Sequence, residues 1–189
     1  MNSAAAHEVL DFWFGAPGSV EHGKSRAEWF KKSDAFDALI RTRFAALHVQ
    51  AAAGQLAHWR DSPLTLLALI IVLDQLPRNL FRDSPQAFAT DAMALDCAQR
   101  MTALQWDQRL NEVERQFCYL PFEHAEDIGA QRTCIQLFRA LGHADLLNWA
   151  QKHCDIIERF GRFPHRNALL GRAFTPEEIE FLKQPGSRF

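Results

Sequence analysis

Apolar residues recur at spacings of three and four along almost the whole of this chain, and no stretch alternates strictly between apolar and polar with turn residues at its ends. That pattern builds helices and leaves nothing for a sheet, so the expected fold class is all-α. A chain of 189 residues can bury a substantial core without disulfide or metal staples, and a single domain over 1–189 is the expectation.

Turn and cap residues divide the pattern. Val9, Leu10, Trp13 and Phe14 form the stripe of an opening helix that stops at Gly15, before the loose stretch GAPGSVEHGKS. A second helical region runs from Trp29 and Phe30 to about Ala53, with Phe36, Leu39, Ile40, Phe44 and Leu47 facing inward. The most apolar run, LTLLALIIVLDQ at 64–75, is far short of the ~20 residues a membrane span needs. Ser62 and Pro63 mark its start, and Pro77, which has no amide to donate, is expected to end it. The DSP at 83–85 repeats the cap-then-proline signal, with Phe88, Ala92, Leu95, Met101 and Leu104 inward on the helix that follows.

Residues 112–120 are expected to be helical until Pro121, and Glu123, His124, Glu126 and Asp127 to open the next helix. Its stripe of Ile128, Ile135, Phe138 and Leu141 stops at Gly142. Leu146, Leu147, Ala150, Cys154 and Ile157 face inward on the last long helix, which Gly161 ends, and Thr175 with Glu178 forms a capping box for a short terminal helix. Short connections favour antiparallel helical hairpins stacked side by side.

With 21 Lys plus Arg against 23 Asp plus Glu, the chain has no global attraction for nucleic acid or an acidic membrane, so any anion site must be local. The four cysteines form no CxxC pair and read as buried thiols. An N-terminus carrying His7, Glu8 and Asp11 lacks the apolar block of a secretory signal, and a cytoplasmic location is the expectation.

Polar clusters interrupt the apolar pattern at three places. DQLPRNLFR at 74–82 puts Asp74 at the end of the most apolar helix with Arg78 nearby, and a buried carboxylate there needs such a partner. YLPFEHAED at 119–127 sets His124 three residues before Asp127, an imidazole and carboxylate suited to proton transfer or ligand binding. No second histidine stands at metal-ligand spacing from His124, so neither a metal nor a cofactor is expected. RFGRFPHRN at 159–167, continued to Arg172, threads arginines and His165 between Phe160 and Phe163; guanidinium groups on a rigid turn suit carboxylate or phosphate, and internal acids could equally absorb them.

FWFG, DQLPRNLFR, LPFEHAEDIGAQ and FGRFPHRNALLGR, in this order, resemble the bacterial family catalogued as domain of unknown function 924, over 9–182. The resemblance implies an all-α fold of stacked helical hairpins, a tetratricopeptide-like α-α superhelix, and no established activity. Its motif positions coincide with Asp74, Arg78, Asn79, His124, Glu126, Arg162, His165, Arg166, Asn167 and Arg172. The family's HSE reads here as His124, Ala125, Glu126, which excludes a hydroxyl nucleophile at 125, and Leu76 stands where Phe is common.

Two functions are expected from these features. In the first, the three clusters converge in one polar pocket bordered by Trp13 and Phe14, where Arg78, Arg166 and Arg172 contact a small anionic molecule and His124 gives or takes a proton. In the second, the motifs only lock helices together and a helical-hairpin scaffold receives a peptide or protein partner. No nucleophile, triad or phosphate loop marks a reaction, and nothing in the sequence sets an oligomeric state.

Overall fold

The computed structural model describes residues 3–187, which form helices and turns with no strand among them. The helices are α1 (Ser3–Phe14), α2 (Asp34–Ala52), α3 (Pro63–Ile70), α4 (Leu76–Leu80), α5 (Asp91–Ala103), α6 (Glu112–His124), α7 (Ile128–Leu141), α8 (Ala144–Phe160) and α9 (Pro176–Phe181). Short 3₁₀ turns and one π-helical segment, Ile71–Gln75, complete the helical content. Two compact units result: one takes the described residues to Arg82 with Gln86–Pro121, the other Asp83–Pro85 with those from Phe122 onward.

The first unit is built on aromatic packing at the end of α1. Trp13 stacks on Trp29 at 6.1 Å between centroids, and Phe117 meets Trp29 edge-on at 4.7 Å. The loose-looking stretch after α1 is tied back to it. Arg26 Nη1 donates to Phe12 O at 2.7 Å and Trp29 Nε1 to Trp13 O at 3.2 Å, so the helix's last carbonyls have partners. Gly15 turns the chain at φ 84°, where an added Cβ would stand 2.9 Å from His22 N and Ser19 Oγ.

The apolar run starts as expected, with Ser62 Oγ accepting Thr65 N–H and Pro63 in the first turn. It does not end at Pro77. Helix continues to Leu80, because the π segment shifts the hydrogen-bond register so that Leu76 N–H reaches Ile71 O. Pro77 has no amide to donate back into this turn, and Thr90 Oγ1 donates to the Leu73 carbonyl within it at 2.6 Å. Pro63–Leu80 is long and apolar enough to cross a membrane, but 78% of it is buried inside the protein, as suits a core helix.

Two stripes depart from the expected faces. Leu39 on α2 is 53% exposed, and α5 buries Ala94, Cys97, Ala98 and Met101, leaving Ala92 and Leu104 exposed. Helix α5 starts at Asp91, after the 3₁₀ turn Pro85–Phe88, rather than at the DSP of 83–85.

In the second unit α7 and α8 pack along one another across the Gly142 turn. Asp127 caps α7 through Ala130 N–H at 2.7 Å, and Gly142 and Gly161 end α7 and α8 in the left-handed conformation. The expectation for 121–127 is corrected: α6 runs through Pro121 to His124, so Glu123 and His124 close a helix rather than open one. Buried Phe117, Leu120 and Phe122 hold the helix on both sides of the proline, offsetting its interior cost of about 3 kcal/mol.

Candidate functional site

The turn that follows α8 is held by a string of hydrogen bonds. Gly161 (φ 67°) ends the helix, Phe163 drops into the core at 0% exposure among Ile156 and Ile157, and Pro164–Arg166 forms one 3₁₀ turn. Glu126 clamps the start of that turn. Its Oε1 accepts Phe163 N–H at 2.7 Å, and Arg172 donates to Oε2 at 2.6 Å and Oε1 at 2.9 Å. Arg172 Nε reaches Asn167 Oδ1 at 2.9 Å, and Asn167 Nδ2 reaches Glu178 Oε2 at 3.2 Å. Glu178 in turn receives Arg162 Nε at 2.6 Å and Nη2 at 2.9 Å. Glu126, Arg172, Asn167, Glu178 and Arg162 thus form one continuous frame.

The protonation states follow from these partners. Hydrogen bonds from Arg162 hold the Glu178 carboxyl down at about 2, against the opposing push of burial. Burial pushes Glu126 up, but the Arg172 and Phe163 hydrogen bonds outweigh it and hold the carboxyl below its ordinary range. Both acids are therefore ionised in the folded protein at neutral pH.

Inside the frame, groups able to carry positive charge gather on the Phe163 ring. The Arg166 guanidinium carbon lies 4.5 Å from its centroid, His153 meets it edge-on at 5.7 Å, and His165 tilts over it at 5.7 Å. His153 Nδ1 is 2.9 Å from Trp149 O, which can only accept, so that nitrogen carries the proton and Nε2 is the acceptor. Glu123 Oε1 lies 3.6 Å from the same nitrogen. Burial pushes His153 down to about 3, against the opposing hydrogen bond to Trp149 O and with smaller contributions from nearby His124, Arg166 and His165.

Residues 9–186 match the family described as bacterial protein of unknown function (DUF924). The chain belongs to that family. It is similar to the structure of a protein of unknown function, ATU0120, from Agrobacterium tumefaciens: 41% identity over 97% of this chain and 99% of that one, with a TM-score of 0.88. No curated protein matches it. Family membership fixes the all-helical fold and brings no activity with it.

The first unit holds the other candidates. Arg78 pairs with Asp91 through two parallel bonds, Nη1–Oδ1 at 3.0 Å and Nη2–Oδ2 at 3.1 Å, and its Nη1 also lies 3.3 Å from Asp74 Oδ1 and donates to Asp74 O. Asp74 is 0% exposed and accepts Gln75 Nε2 at 2.5 Å. Asn79 donates to Asp37 at 2.8 Å, and Arg82 forks onto the same carboxylate, tying α4 to α2. Trp13 lies in the aromatic core of this unit, 1% exposed.

Within the second unit the structure joins Glu126, Arg162, Asn167 and Arg172 in one hydrogen-bonded frame and sets His165 and Arg166 on the Phe163 ring, while His124 stands at the end of α6. Three of the arginines offered by the sequence as candidates, Arg78, Arg162 and Arg172, hold carboxylates of the protein itself. Asp127, expected as a partner for His124, spends its Oδ1 on the cap of α7. Sequence reasoning missed His153, although it stands at i+3 on the stripe of Ala150, Cys154 and Ile157, and it missed Gln131 and the second role of Glu178. The thiols are buried, with Cys97 pushed up to about 11 by burial, which suits inert packing. Among the described residues no group of three or more His, Cys, Asp or Glu could hold a metal ion.

Proposed function

We propose that the second unit binds a small anionic ligand at the cluster of His124, His165 and Arg166, with Arg166 as the charge contact and His124 as the group that gives or takes a proton. Arg162 and Arg172 keep the turn rigid through Glu178 and Glu126. The observation that carries this reading is the gathering of Arg166, His165 and His153 on one buried phenylalanine, on a turn fixed at both ends by ionised carboxylates. A guanidinium with its orientation already set loses little freedom on meeting an anion, and the His165 imidazole supplies a directional donor.

Calorimetric titration of inorganic phosphate and of malonate into the wild-type protein and Arg166→Gln tests it. Saturable binding that weakens roughly tenfold to a hundredfold in the variant is expected. Absence of binding to the wild type, or equal binding to both, overturns it.

A second reading keeps the motifs structural and makes the fold a helical-hairpin scaffold of tetratricopeptide-like character for a peptide. It draws support from a shallow groove of about 610 Å³ in the same unit, lined by Glu126, Asp127, Glu158 and Arg132 with Ile128 and Ile157. That lining favours a peptide of basic character. On this reading Arg166→Gln lowers Tm and a basic peptide, not phosphate, protects the groove from hydrogen exchange.

A further inference from the structure

Gln131 sits on α7 one turn beyond its Asp127 cap, 0% exposed, on the face that also buries Cys134 and Ile135. Its one side-chain nitrogen makes two bonds, to Glu123 O at 2.6 Å and to Ala125 O at 2.8 Å. These are the carbonyls on either side of His124. We infer that Gln131 is a positioning residue for His124: by clamping both flanking carbonyls, its amide sets the direction in which the imidazole leaves the end of α6. The inference deepens the anion-site reading and rests on it for the importance of His124.

A helix end leaves its last carbonyls without intrahelical donors, and a glycine in the left-handed conformation is the usual remedy. Here Ala125 follows the helix, so that route is closed. The remedy comes from the next helix. The bond to Glu123 O holds the peptide plane before His124 and the bond to Ala125 O the one after Ala125, while Ala125 N–H reaches Phe122 O at 3.4 Å, so the backbone on both sides of the histidine, and with it its Cα–Cβ direction, is held.

The residue type fits this task better than it fits stability. A primary amide supplies two N–H groups from one neutral nitrogen, whereas lysine would add a charge beside the histidines and asparagine is one methylene shorter. Stability alone argues the other way. Gln131 Oε1 is buried without a hydrogen-bond partner among the described residues, and a buried acceptor of that kind destabilises the fold. This chain carries an amide at the position although half of it is left unsatisfied.

The first test needs no variant. NMR of the wild-type protein should show couplings through the hydrogen bonds from the Gln131 side-chain nitrogen to the carbonyl carbons of both Glu123 and Ala125. Absence of either overturns the inference whatever the variants do. In Gln131→Met and Gln131→Glu, the His124 titration midpoint should move by roughly half a pH unit or more and its ring-nitrogen shifts should report a changed tautomer balance. His143, on the exposed start of α8, should stay as it is. Phosphate affinity should fall about tenfold, as when other outer-shell partners are lost. A His124 signal unchanged in a folded Gln131→Met rejects positioning. If the wild type binds no phosphate, the anion reading falls while the His124 titration still decides this one.

Discussion

Arg162 and Glu178 meet fork to fork, Nε to Oε1 at 2.6 Å and Nη2 to Oε2 at 2.9 Å; Glu178 is 1% exposed, and its carboxylate also accepts Thr175 N–H at 2.8 Å in the capping box of α9. One acid thus joins the turn after α8, the buried Asn167 and the start of the last helix. Glu178→Gln keeps the shape and removes the charge. We expect it to lower Tm by several degrees at neutral pH and to flatten the acid limb of the stability curve. The sign follows from the depressed carboxyl: its contribution is present above about 4.5, the unfolded value, and lost as pH falls toward about 2. Melts of both proteins between pH 7 and pH 2 check it, and a variant as stable as the wild type at pH 7 contradicts it.

Thr90 bonds the apolar helix one turn before its interior proline. Its hydroxyl donates to Leu73 O, so Thr90→Val takes that donor from a buried carbonyl while preserving shape. A loss of about 1–3 kcal/mol in urea unfolding is expected. A change smaller than the error of the fit would mean that the carbonyl finds another donor and that the π segment is held by something else.

Two buried histidines add to the loss of stability in acid, beginning at a higher pH than Glu178 does. Burial lowers His48, whose ring nitrogens have no hydrogen-bond partner among the described residues and whose edge packs on Phe81 at 5.4 Å. His153 is lowered to about 3. Both are kept neutral in the folded state, so the unfolded chain takes up protons first. Stability is then full above about 6.5 and falls below it, by at most ~1.4 kcal/mol per pH unit for each histidine. His48→Leu should therefore unfold less readily at pH 5 relative to pH 7.5 than the wild type does, measured as the difference in urea midpoints. Equal pH slopes for the two proteins count against it.

The helices and most of their caps were legible because both are local. Ser62 with Pro63, Thr175 with Glu178, and the left-handed Gly142 and Gly161 all act within a turn of the residues that announce them. Pro77 and Pro121 were misread as helix ends for the converse reason. The helix passes Pro77 through a π-shifted register with Thr90, from another element, bonded to Leu73 O, and the end of α6 past Pro121 is bonded by Gln131. The arginines of the FGRFPHRN stretch were visible as a group, but their assignment depended on where Glu126 and Glu178 fold, 46 residues before Arg172 and 16 after Arg162. His153 lay in plain view on an apolar stripe and was passed over because a single polar residue there reads as packing.

The central claim is that Arg166, His124 and His165 receive an anion while Arg162 and Arg172 do not. NMR titration of uniformly ¹⁵N-labelled protein with inorganic phosphate, following imidazole and guanidinium nitrogens, tests it most directly. Saturable shifts at His124, His165 and Arg166, with Arg162 and Arg172 unmoved, are the predicted result. Shifts confined to exposed lysines, or none that saturate, would contradict the account.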